Sequence, residues 1–340
     1  MVKTMEKRIL GKTGYEVSIV GFGGIPIQNV SRDKAIELLK LSLEKGINFI
    51  DTARGYNDSE KLIGEALQVV GRENFFLATK SMNRTYEGVL GELATSLNNL
   101  KVDYIDLFQF HNVSKKADME LILGENGALK AIKEMQKKGI VKEIGVTSHN
   151  AEILSELMET DEFSTIQFPY NFVETQGEKL FERAKEKNIG VLIMKPLAGG
   201  AIPKGKECLK FVLNNPNVTI AIPGMDSEEQ ILENCQVGEN LTPLTPEEVL
   251  DLDSFTKGLG RYFCRRCGYC APCTVGIDIP SNFLMEGYYT RYDLKDWALS
   301  RYHSFDKKAS DCIKCGICET RCPYNLPIIK MLENVAKVLE

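Results

Sequence analysis

Short apolar segments alternate with longer amphipathic stretches eight times over residues 1–240. The short segments are apolar along almost their whole length, which is typical of strands buried on both faces of a parallel sheet. The stretches between them, such as residues 34–44 and 86–100, carry apolar residues at helical period. The apolar segments are residues 17–21, 48–51, 75–79, 104–110, 140–146, 165–168, 190–194 and 218–222.

This alternation predicts an α/β fold in which a parallel sheet is covered by helices. Eight strand–helix units in about 230 residues predict a (β/α)8 barrel, also called a TIM barrel. A doubly wound sheet is the alternative, and it is disfavoured because residues 21–24, Gly-Phe-Gly-Gly, lack the G-x-G-x-x-G spacing of a dinucleotide-binding turn. Residues 7–18, which contain Gly-Lys-Thr-Gly, predict a hairpin that closes the bottom of the barrel.

Eight of the ten cysteines lie in two short runs near the end of the sequence. Disulfide frameworks belong mainly to small secreted chains, so cysteine runs in a chain of 340 residues point to metal ligands instead. We therefore predict a barrel domain over residues 1–258 and a small metal-binding domain over residues 259–340. The two isolated cysteines, Cys208 and Cys235, are expected to be buried apolar residues. The runs are Cys264, Cys267, Cys270 and Cys273, then Cys312, Cys315, Cys318 and Cys322.

The second cysteine run, followed by Pro323, has the C-x2-C-x2-C-x3-C-P spacing of bacterial ferredoxins, which predicts a ferredoxin-like domain with two 4Fe–4S clusters. The first run differs, because its last gap is two residues and Thr274 stands where proline is usual. In two-cluster ferredoxins the fourth cysteine of each run serves the other cluster. By that resemblance Cys322 would join the first three cysteines of the first run, and Cys273 those of the second. Structural zinc is the alternative, although a zinc site with four cysteine ligands needs only two C-x2-C pairs.

Charge is distributed unevenly along the chain. The net charge of −5 does not predict a nucleic-acid footprint, whereas residues 261–340 hold 12 Lys and Arg against 9 Asp and Glu. The cations among the cysteines either offset cluster charge or form a docking face for an acidic electron carrier of ferredoxin or flavodoxin type. These cations are Arg265, Arg266, Lys314 and Arg321. No apolar run reaches about 18 residues, so no contact with a membrane is predicted, and without a leader-like segment a cytoplasmic location is expected.

Four polar residues stand at or just after predicted strand ends. Asp51 ends the second strand and Tyr56 lies in the loop after it, while Lys80 and His111 end the third and fourth strands. Active sites of βα barrels lie at the carboxyl ends of the strands. A cationic lysine lowers the pKa of a nearby tyrosine, an aspartate keeps that lysine charged, and a histidine can orient a carbonyl. Singly, each residue could instead be a helix cap, a solvated loop residue, a surface turn or a core histidine; together they predict carbonyl reduction.

The chain resembles the aldo/keto reductase family over residues 6–240. The resemblance implies carbonyl reduction or alcohol oxidation, with hydride delivered by NAD(P)H lying across the barrel mouth. It implies a small carbonyl or alcohol as substrate without saying which, because the family's substrate range is broad. The motifs that carry it are Asp-Thr-Ala-Arg-Gly-Tyr at 51–56, Ala-Thr-Lys at 78–80 and Phe-His at 110–111.

The same resemblance implies a role for each strand-end residue and for a set of cofactor contacts. Tyr56 would be the general acid, Lys80 and Asp51 would tune its pKa, and His111 would orient the substrate. Among the contacts to the cofactor, Gln167 matches the family glutamine. The other implied positions are Ser148, where an asparagine usually holds the carboxamide, Met194, where a tyrosine often stacks, and Glu233 with Asn234, which match adenosine contacts.

The positions that select NADP(H) in the family differ in this chain. Gly224 and Gln230 replace the lysine and arginine that typically hold the 2′-phosphate. A phosphate is best held by a cationic fork, so weak selectivity for NADP(H) is expected. Lys195 is the remaining candidate for a contact to the cofactor phosphates.

Two functions stay open on the sequence. The first is a nicotinamide-dependent oxidoreductase whose clusters transfer electrons or support the structure. The second is a ferredoxin-linked electron-transfer or redox-sensing protein whose barrel binds a ligand without nicotinamide chemistry. Clusters pass single electrons and nicotinamide passes hydride, and the sequence contains no flavin signature that would couple them.

Overall fold

The computed structural model describes residues 4–259 and 261–340, which divide into two compact units. The barrel unit comprises Met1–Leu197 and Lys204–Leu244. The cysteine unit comprises Ala198–Pro203 and Thr245–Glu340. The domain boundary between residues 258 and 259 remains a prediction.

The barrel unit begins with the predicted hairpin, which is confirmed. Strands β1 (Lys7–Ile9) and β2 (Glu16–Ser18) pair antiparallel, and Gly14 takes a φ of 73° in the turn between them. Leu10 and Val17 are fully buried in the core cluster that fills the barrel. The hairpin therefore covers one end of the barrel with apolar side chains.

Eight parallel strands follow in the described part of the chain, and each pairs with its neighbour in sequence. The sheet closes because bridges join Val20 to Ala221 and Gly23 to Gly224. The (β/α)8 barrel is thus confirmed, and the doubly wound alternative is wrong because strand order never reverses. The strands are β3 (Phe22–Gly23), β4 (Phe49–Asp51), β5 (Phe76–Ser81), β6 (Ile105–Phe110), β7 (Val141–Thr147), β8 (Thr165–Pro169), β9 (Gly190–Met194) and β10 (Ile220–Ala221).

Nine described helices surround the strands and bury their apolar faces against the sheet. Several of these helices begin at a residue whose side chain caps the helix. The Ser31 side chain accepts from the Lys34 amide, and the Thr85 side chain accepts from the Gly88 amide. The helices are α1 (Arg32–Glu44), α2 (Ser59–Val70), α3 (Tyr86–Leu100), α4 (Lys116–Leu123), α5 (Ala128–Lys137), α6 (Ala151–Met158), α7 (Glu178–Glu186), α8 (Gly205–Leu213) and α9 (Glu228–Glu239).

The isolated cysteines of the barrel unit are core residues, as expected. Cys208 on α8 and Cys235 on α9 are at most 1% exposed. Burial raises the pKa of each thiol to about 12, so both remain protonated and unreactive near neutral pH.

The cysteine unit is helical in its described part and packs around a small apolar core. Phe283, Leu326 and Leu332 are among its buried residues, and the Tyr288 and Trp297 rings meet edge to face at 4.7 Å. The helices are α10 (Pro246–Leu259), α11 (Ile279–Thr290), α12 (Lys295–His303), α13 (Ile317–Arg321) and α14 (Ile328–Leu339). Across residues 4–259 and 261–340, none of the helices has both the length and the apolar character needed to span a membrane.

A buried ion pair ties the base of β5 to β6. Asp106 on β6 accepts from Arg72 Nη2 at 2.5 Å and from the Leu77 amide at 2.8 Å. We expect Asp106→Ala to lower the free energy of unfolding by about 3 kcal/mol, because it removes the charge partner of the half-buried Arg72 and leaves the buried Leu77 amide without its acceptor. Denaturant unfolding of the full chain measures this change.

Asp58 provides the matched control, since it pairs with Lys61 at 3.0 Å on the surface. Asp58→Ala is expected to cost less than about 1 kcal/mol. Equal and small effects of the two substitutions would contradict a structural role for the buried pair.

Candidate active site and cysteine cavities

The four predicted catalytic residues lie at the same end of the barrel. Asp51 is the last residue of β4, Lys80 lies near the end of β5, and His111 follows β6 directly. Tyr56 lies in the loop between β4 and α2. Since the strands are parallel and adjacent, their carboxyl ends bring the four side chains together.

Asp51 and Lys80 form an ion pair at the centre of this site. Lys80 Nζ donates to Asp51 Oδ2 at 2.6 Å and to the Thr52 carbonyl at 2.7 Å, and Gln109 Nε2 donates to Asp51 Oδ1 at 3.2 Å. Asp51 is 3% exposed and Lys80 is 1% exposed. Burial lowers the pKa of Lys80, and the Asp51 carboxylate acts against that change. The carboxylate thereby holds both the position and the charge of the ammonium.

Tyr56 is close to both the lysine and the histidine. Lys80 Nζ is 5.0 Å from the centroid of the Tyr56 ring, and the His111 ring meets the Tyr56 ring edge to face at 5.7 Å. Tyr56 and His111 are both half-buried, so a ligand can reach them. The arrangement places a phenol, a cation and an imidazole around one point of the barrel mouth.

Glu60 on α2 is a site residue that the sequence reasoning missed. It is fully buried and accepts from Thr79 Oγ1 at 2.8 Å, from Arg54 Nη1 at 3.2 Å and from Asn99 Nδ2 at 3.2 Å. The bond to Arg54 holds the loop that carries Tyr56, and the bonds to Thr79 and Asn99 anchor Glu60 to β5 and α3. The signal in the sequence was slight, because an acidic residue in the first turn of a helix is ordinary.

Arg84 plays a similar part on the other side of the site and was also missed. Its Nη2 donates to the carbonyls of His111 at 2.8 Å and Asn112 at 3.1 Å, and it lies 3.6 Å from Asp118. The guanidinium therefore holds the backbone that presents the imidazole. Nothing in the spacing of these residues identifies the contact, because it joins two loops 27 residues apart.

Two of the predicted nicotinamide contacts are buried at the carboxyl ends of neighbouring strands. Gln167 on β8 is 2% exposed and bonds to Asp51, and its Oε1 has no hydrogen-bond partner among the described residues. Ser148 follows β7, where its Oγ accepts from the Asn150 amide at 2.9 Å and lies 3.2 Å from Ser114 Oγ. A buried amide oxygen without a donor fits the amide N–H of a carboxamide. The residues present thus suit a nicotinamide.

Other predicted contacts are spread around the mouth. Met194 ends β9 half-buried against the inner core cluster, and Lys195 follows it with a φ of 56°. The Lys195 carbonyl accepts from Asn171 Nδ2 at 3.0 Å. Asn234 on α9 is 5% exposed, and Glu233 beside it is half-buried.

Packing and capping account for the missing cations at Gly224 and Gln230. A Cβ at Gly224 would lie 2.7 Å from Cγ of Pro26, so a lysine there would collide with a rigid ring. Gln230 belongs to a capping box, in which its Oε1 accepts from the amides of Asp226 at 2.8 Å and Ser227 at 3.3 Å. An arginine cannot accept these bonds. Gly224 therefore serves local packing and Gln230 caps a helix, and neither residue supplies a cation for a 2′-phosphate.

The eight clustered cysteines line two small cavities in the cysteine unit. Thr274 Oγ1 lies 3.0 Å from Cys315 Sγ beside one of them. Each cavity combines three cysteines of one run with the fourth cysteine of the other, which is the grouping that the ferredoxin resemblance implies. One cavity is lined by Cys264, Cys267, Cys270 and Cys322, and the other by Cys273, Cys312, Cys315 and Cys318.

The spacing of these thiols bears on the kind of metal group they suit. Within residues 4–259 and 261–340, no three Cys, His, Asp or Glu side chains converge closely enough to hold a single metal ion. Structural zinc draws its four ligands to about 2.3 Å from one point. Four cysteines around an open cavity suit a larger group, as a 4Fe–4S cluster is.

Comparison with known proteins adds independent findings. The model of the aldo/keto reductase family matches residues 19–207, and that of a 4Fe-4S dicluster domain matches residues 263–327. The uncharacterized oxidoreductase YqkF of Bacillus subtilis (strain 168) is 26% identical over 306 residues, which cover 74% of this chain and 97% of YqkF. L-galactose dehydrogenase of Arabidopsis thaliana is 26% identical over 302 residues, or 74% of this chain and 92% of that enzyme.

Solved structures lead to the same family. Aldo-keto reductase AKR11C1 from Bacillus halodurans, in its holo form, is similar with a TM-score of 0.63 and 26% identity, over 74% of this chain and 96% of its own. The family match spans more than half of the chain and contains the buried pair at the ends of β4 and β5. The chain therefore belongs to the aldo/keto reductase family, and it carries a 4Fe–4S dicluster domain after the barrel sequence.

Proposed function

We propose that the barrel reduces a small carbonyl compound, or oxidises the corresponding alcohol, with NAD(P)H. The observation that carries the proposal is the buried Lys80–Asp51 pair next to the Tyr56 ring, which the His111 ring meets edge to face. A phenol is a poor acid near neutral pH, and a buried cation beside it favours the phenolate.

Each residue has a separate task in this proposal. Tyr56 donates its phenolic proton to the substrate oxygen during reduction and takes it back during oxidation. Lys80 stabilises the phenolate that remains, while Asp51 keeps the ammonium charged and in place. His111 orients the substrate oxygen towards Tyr56. The bound nicotinamide supplies or accepts the hydride.

Residues at the ends of the strands beside the ion pair would hold the nicotinamide. Gln167, whose Oε1 lacks a donor among the described residues, and Ser148 would bind the carboxamide. Met194 would lie against the ring, with Lys195 near the phosphates. Glu233 and Asn234 would contact the adenosine.

We propose that the cysteine unit holds two 4Fe–4S clusters, one in each cysteine cavity. Such clusters transfer single electrons, and the face around the exposed Cys315 is suited to a redox partner. Ile313 and Ile317 on that face are 61% and 40% exposed. The positive charge near Cys315 comes from the exposed Arg321 and from Lys314, which is paired with Glu333 at 2.7 Å. An acidic carrier of ferredoxin or flavodoxin type would match this combination of apolar and positive surface.

Ferredoxin-linked electron transfer or redox sensing without nicotinamide is the second candidate function. The observation in its favour is that Gly224 and Gln230 are committed to packing and capping, which leaves the 2′-phosphate without its usual cations. A protein that binds neither NADH nor NADPH would support this second candidate.

Replacement of the phenol tests the catalytic assignment. We expect Tyr56→Phe to lower the rate of carbonyl reduction by about 10²–10⁴-fold, with little change in nicotinamide affinity, because only the proton donor is removed. Steady-state rates and fluorescence titration measure the two quantities. Tyr86→Phe, which loses one surface bond to Glu134, is the matched control and should keep the wild-type rate. Wild-type turnover in Tyr56→Phe would refute the assignment.

Cofactor choice tests the interpretation of the phosphate positions. We expect the affinities for NADPH and NADH to differ by no more than about tenfold, which corresponds to 1.4 kcal/mol. Gln230→Glu should weaken NADPH alone, because it keeps the capping acceptor and adds a negative charge near the 2′-phosphate. Equilibrium titration of both cofactors measures this. A wild type that binds NADPH hundreds of times more tightly would contradict the argument and point to Lys195.

Iron content tests the two-cluster proposal. Two four-cysteine sets predict about eight irons and eight acid-labile sulfides per chain in anaerobically purified protein. Cys315→Ser should remove about half of the iron and destabilise the cysteine unit, because ligation contributes to folding. Cys235→Ala, outside both cavities, should keep all of it. Stoichiometric zinc, or four irons in the wild type, would rule out the proposal.

A further inference from the structure

A cleft of about 620 Å³ lies in the cysteine unit, outside the two cysteine cavities. Its volume is in the range of pockets that hold small organic ligands. It is lined by Leu259, residues 262–264 and Arg266, by part of α11 and by one face of α14. None of the four residues proposed for carbonyl reduction lines it, so the cleft is a separate candidate site.

Aromatic side chains form one wall of the cleft. Phe263 and Phe283 are buried in this wall, whereas Tyr262 is 54% exposed. An exposed aromatic face on an apolar wall offers a stacking surface to a planar ring, and such contacts are worth more than burial of the same area alone.

Positive charge predominates around the same wall. Glu333 accepts from Lys314, which lies outside the cleft, at 2.7 Å, and it also interacts with the charges of Lys330 and Lys337. Lys330 Nζ lies 6.0 Å from the Tyr262 ring centroid. A ring stacked on Tyr262 would therefore bring an attached anion close to a cation. The charged side chains that line the cleft are Arg266, Arg291, Lys330 and Lys337 against Glu286 and Glu333.

The cleft also adjoins the first cysteine cavity. Cys264 lines both of them, so a ligand in the cleft lies against a residue proposed to hold a cluster. Flavins take part in hydride transfer and in one-electron chemistry, so a flavin beside a cluster can exchange single electrons with it.

We propose that this cleft binds a phosphorylated planar heteroaromatic cofactor of the flavin mononucleotide class. Tyr262 stacks on the ring, and Lys330 with Lys337 hold the phosphate. Reduction of the flavin takes up two electrons, delivered singly by reduced clusters that are each oxidised by one electron, and two protons from water. Binding depends only on the lining of the cleft; the electron transfer rests on the clusters proposed above.

Titration of the anaerobically purified full chain with flavin mononucleotide tests the proposal. Calorimetry and flavin fluorescence report binding without any assay of activity, and iron analysis of the same sample shows whether the clusters are present. We expect a Kd of about 10 μM or tighter. Riboflavin, which lacks the phosphate, and adenosine monophosphate, which has a different ring, should each bind at least about tenfold more weakly.

Two variants and a control locate the site. Lys330→Glu and Tyr262→Ala should each weaken flavin mononucleotide by about tenfold or more. Lys295→Glu, at a lysine that pairs with Asp293 at 3.1 Å outside the cleft, should leave affinity unchanged. No binding of flavin mononucleotide at about 1 mM by iron-loaded protein would overturn the proposal. Wild-type affinity for flavin mononucleotide in both cleft variants would also overturn it. Equal affinity of the wild type for adenosine monophosphate and flavin mononucleotide would do the same.

Discussion

The ion pair between Lys80 and Asp51 is the constraint on which the barrel site depends. A lysine that is 1% exposed remains charged only with a partner, and the partner lies on the adjacent strand at 2.6 Å. Direct pairing of the two strands fixes this register, since Asp51 on β4 lies opposite Ala78 on β5. Loss of either charge would leave the other buried without compensation, so the fold and the chemistry of the site share one interaction.

Contacts from Glu60 and Arg84 then hold the segments that carry the half-buried Tyr56 and His111. Glu60 ties Arg54 in the Tyr56 loop to Thr79 on β5, and Arg84 holds the backbone at His111. The contacts of Thr79 with Glu60 and of Arg84 with His111 join residues 19 and 27 apart in sequence. The alternation of strands and helices sufficed to predict the barrel and to place the four polar residues at its carboxyl ends. Glu60 and Arg84 could not be predicted, because their roles arise from contacts with other segments of the chain.

At the cofactor positions, too, the sequence predicted one part of the arrangement and the structure explained the rest. The sequence revealed that Gly224 and Gln230 lack charge, but the reasons lie in three dimensions, in the contact with Pro26 and in the capping box of α9. In the cysteine unit, the cysteine spacing predicted two groups of ligands. The assignment of Cys322 to the first three cysteines came from resemblance to ferredoxins, and the structure places it in their cavity. The cleft beside Cys264 had no signal in the sequence, because its walls come from segments about 70 residues apart.

The most direct measurement of the central claim is the consumption of reduced nicotinamide by the full chain with a panel of small aldehydes and ketones. The key comparison is with the double variant Lys80→Met, Asp51→Asn, which removes both buried charges together and leaves neither unpaired. A surface pair, Lys133 and Glu162 at 2.7 Å, supplies the control double variant Lys133→Met, Glu162→Gln. The account predicts turnover in the wild type and the control and none in the buried-pair variant. Wild-type turnover in the buried-pair variant, or none in any of the three proteins, would contradict it.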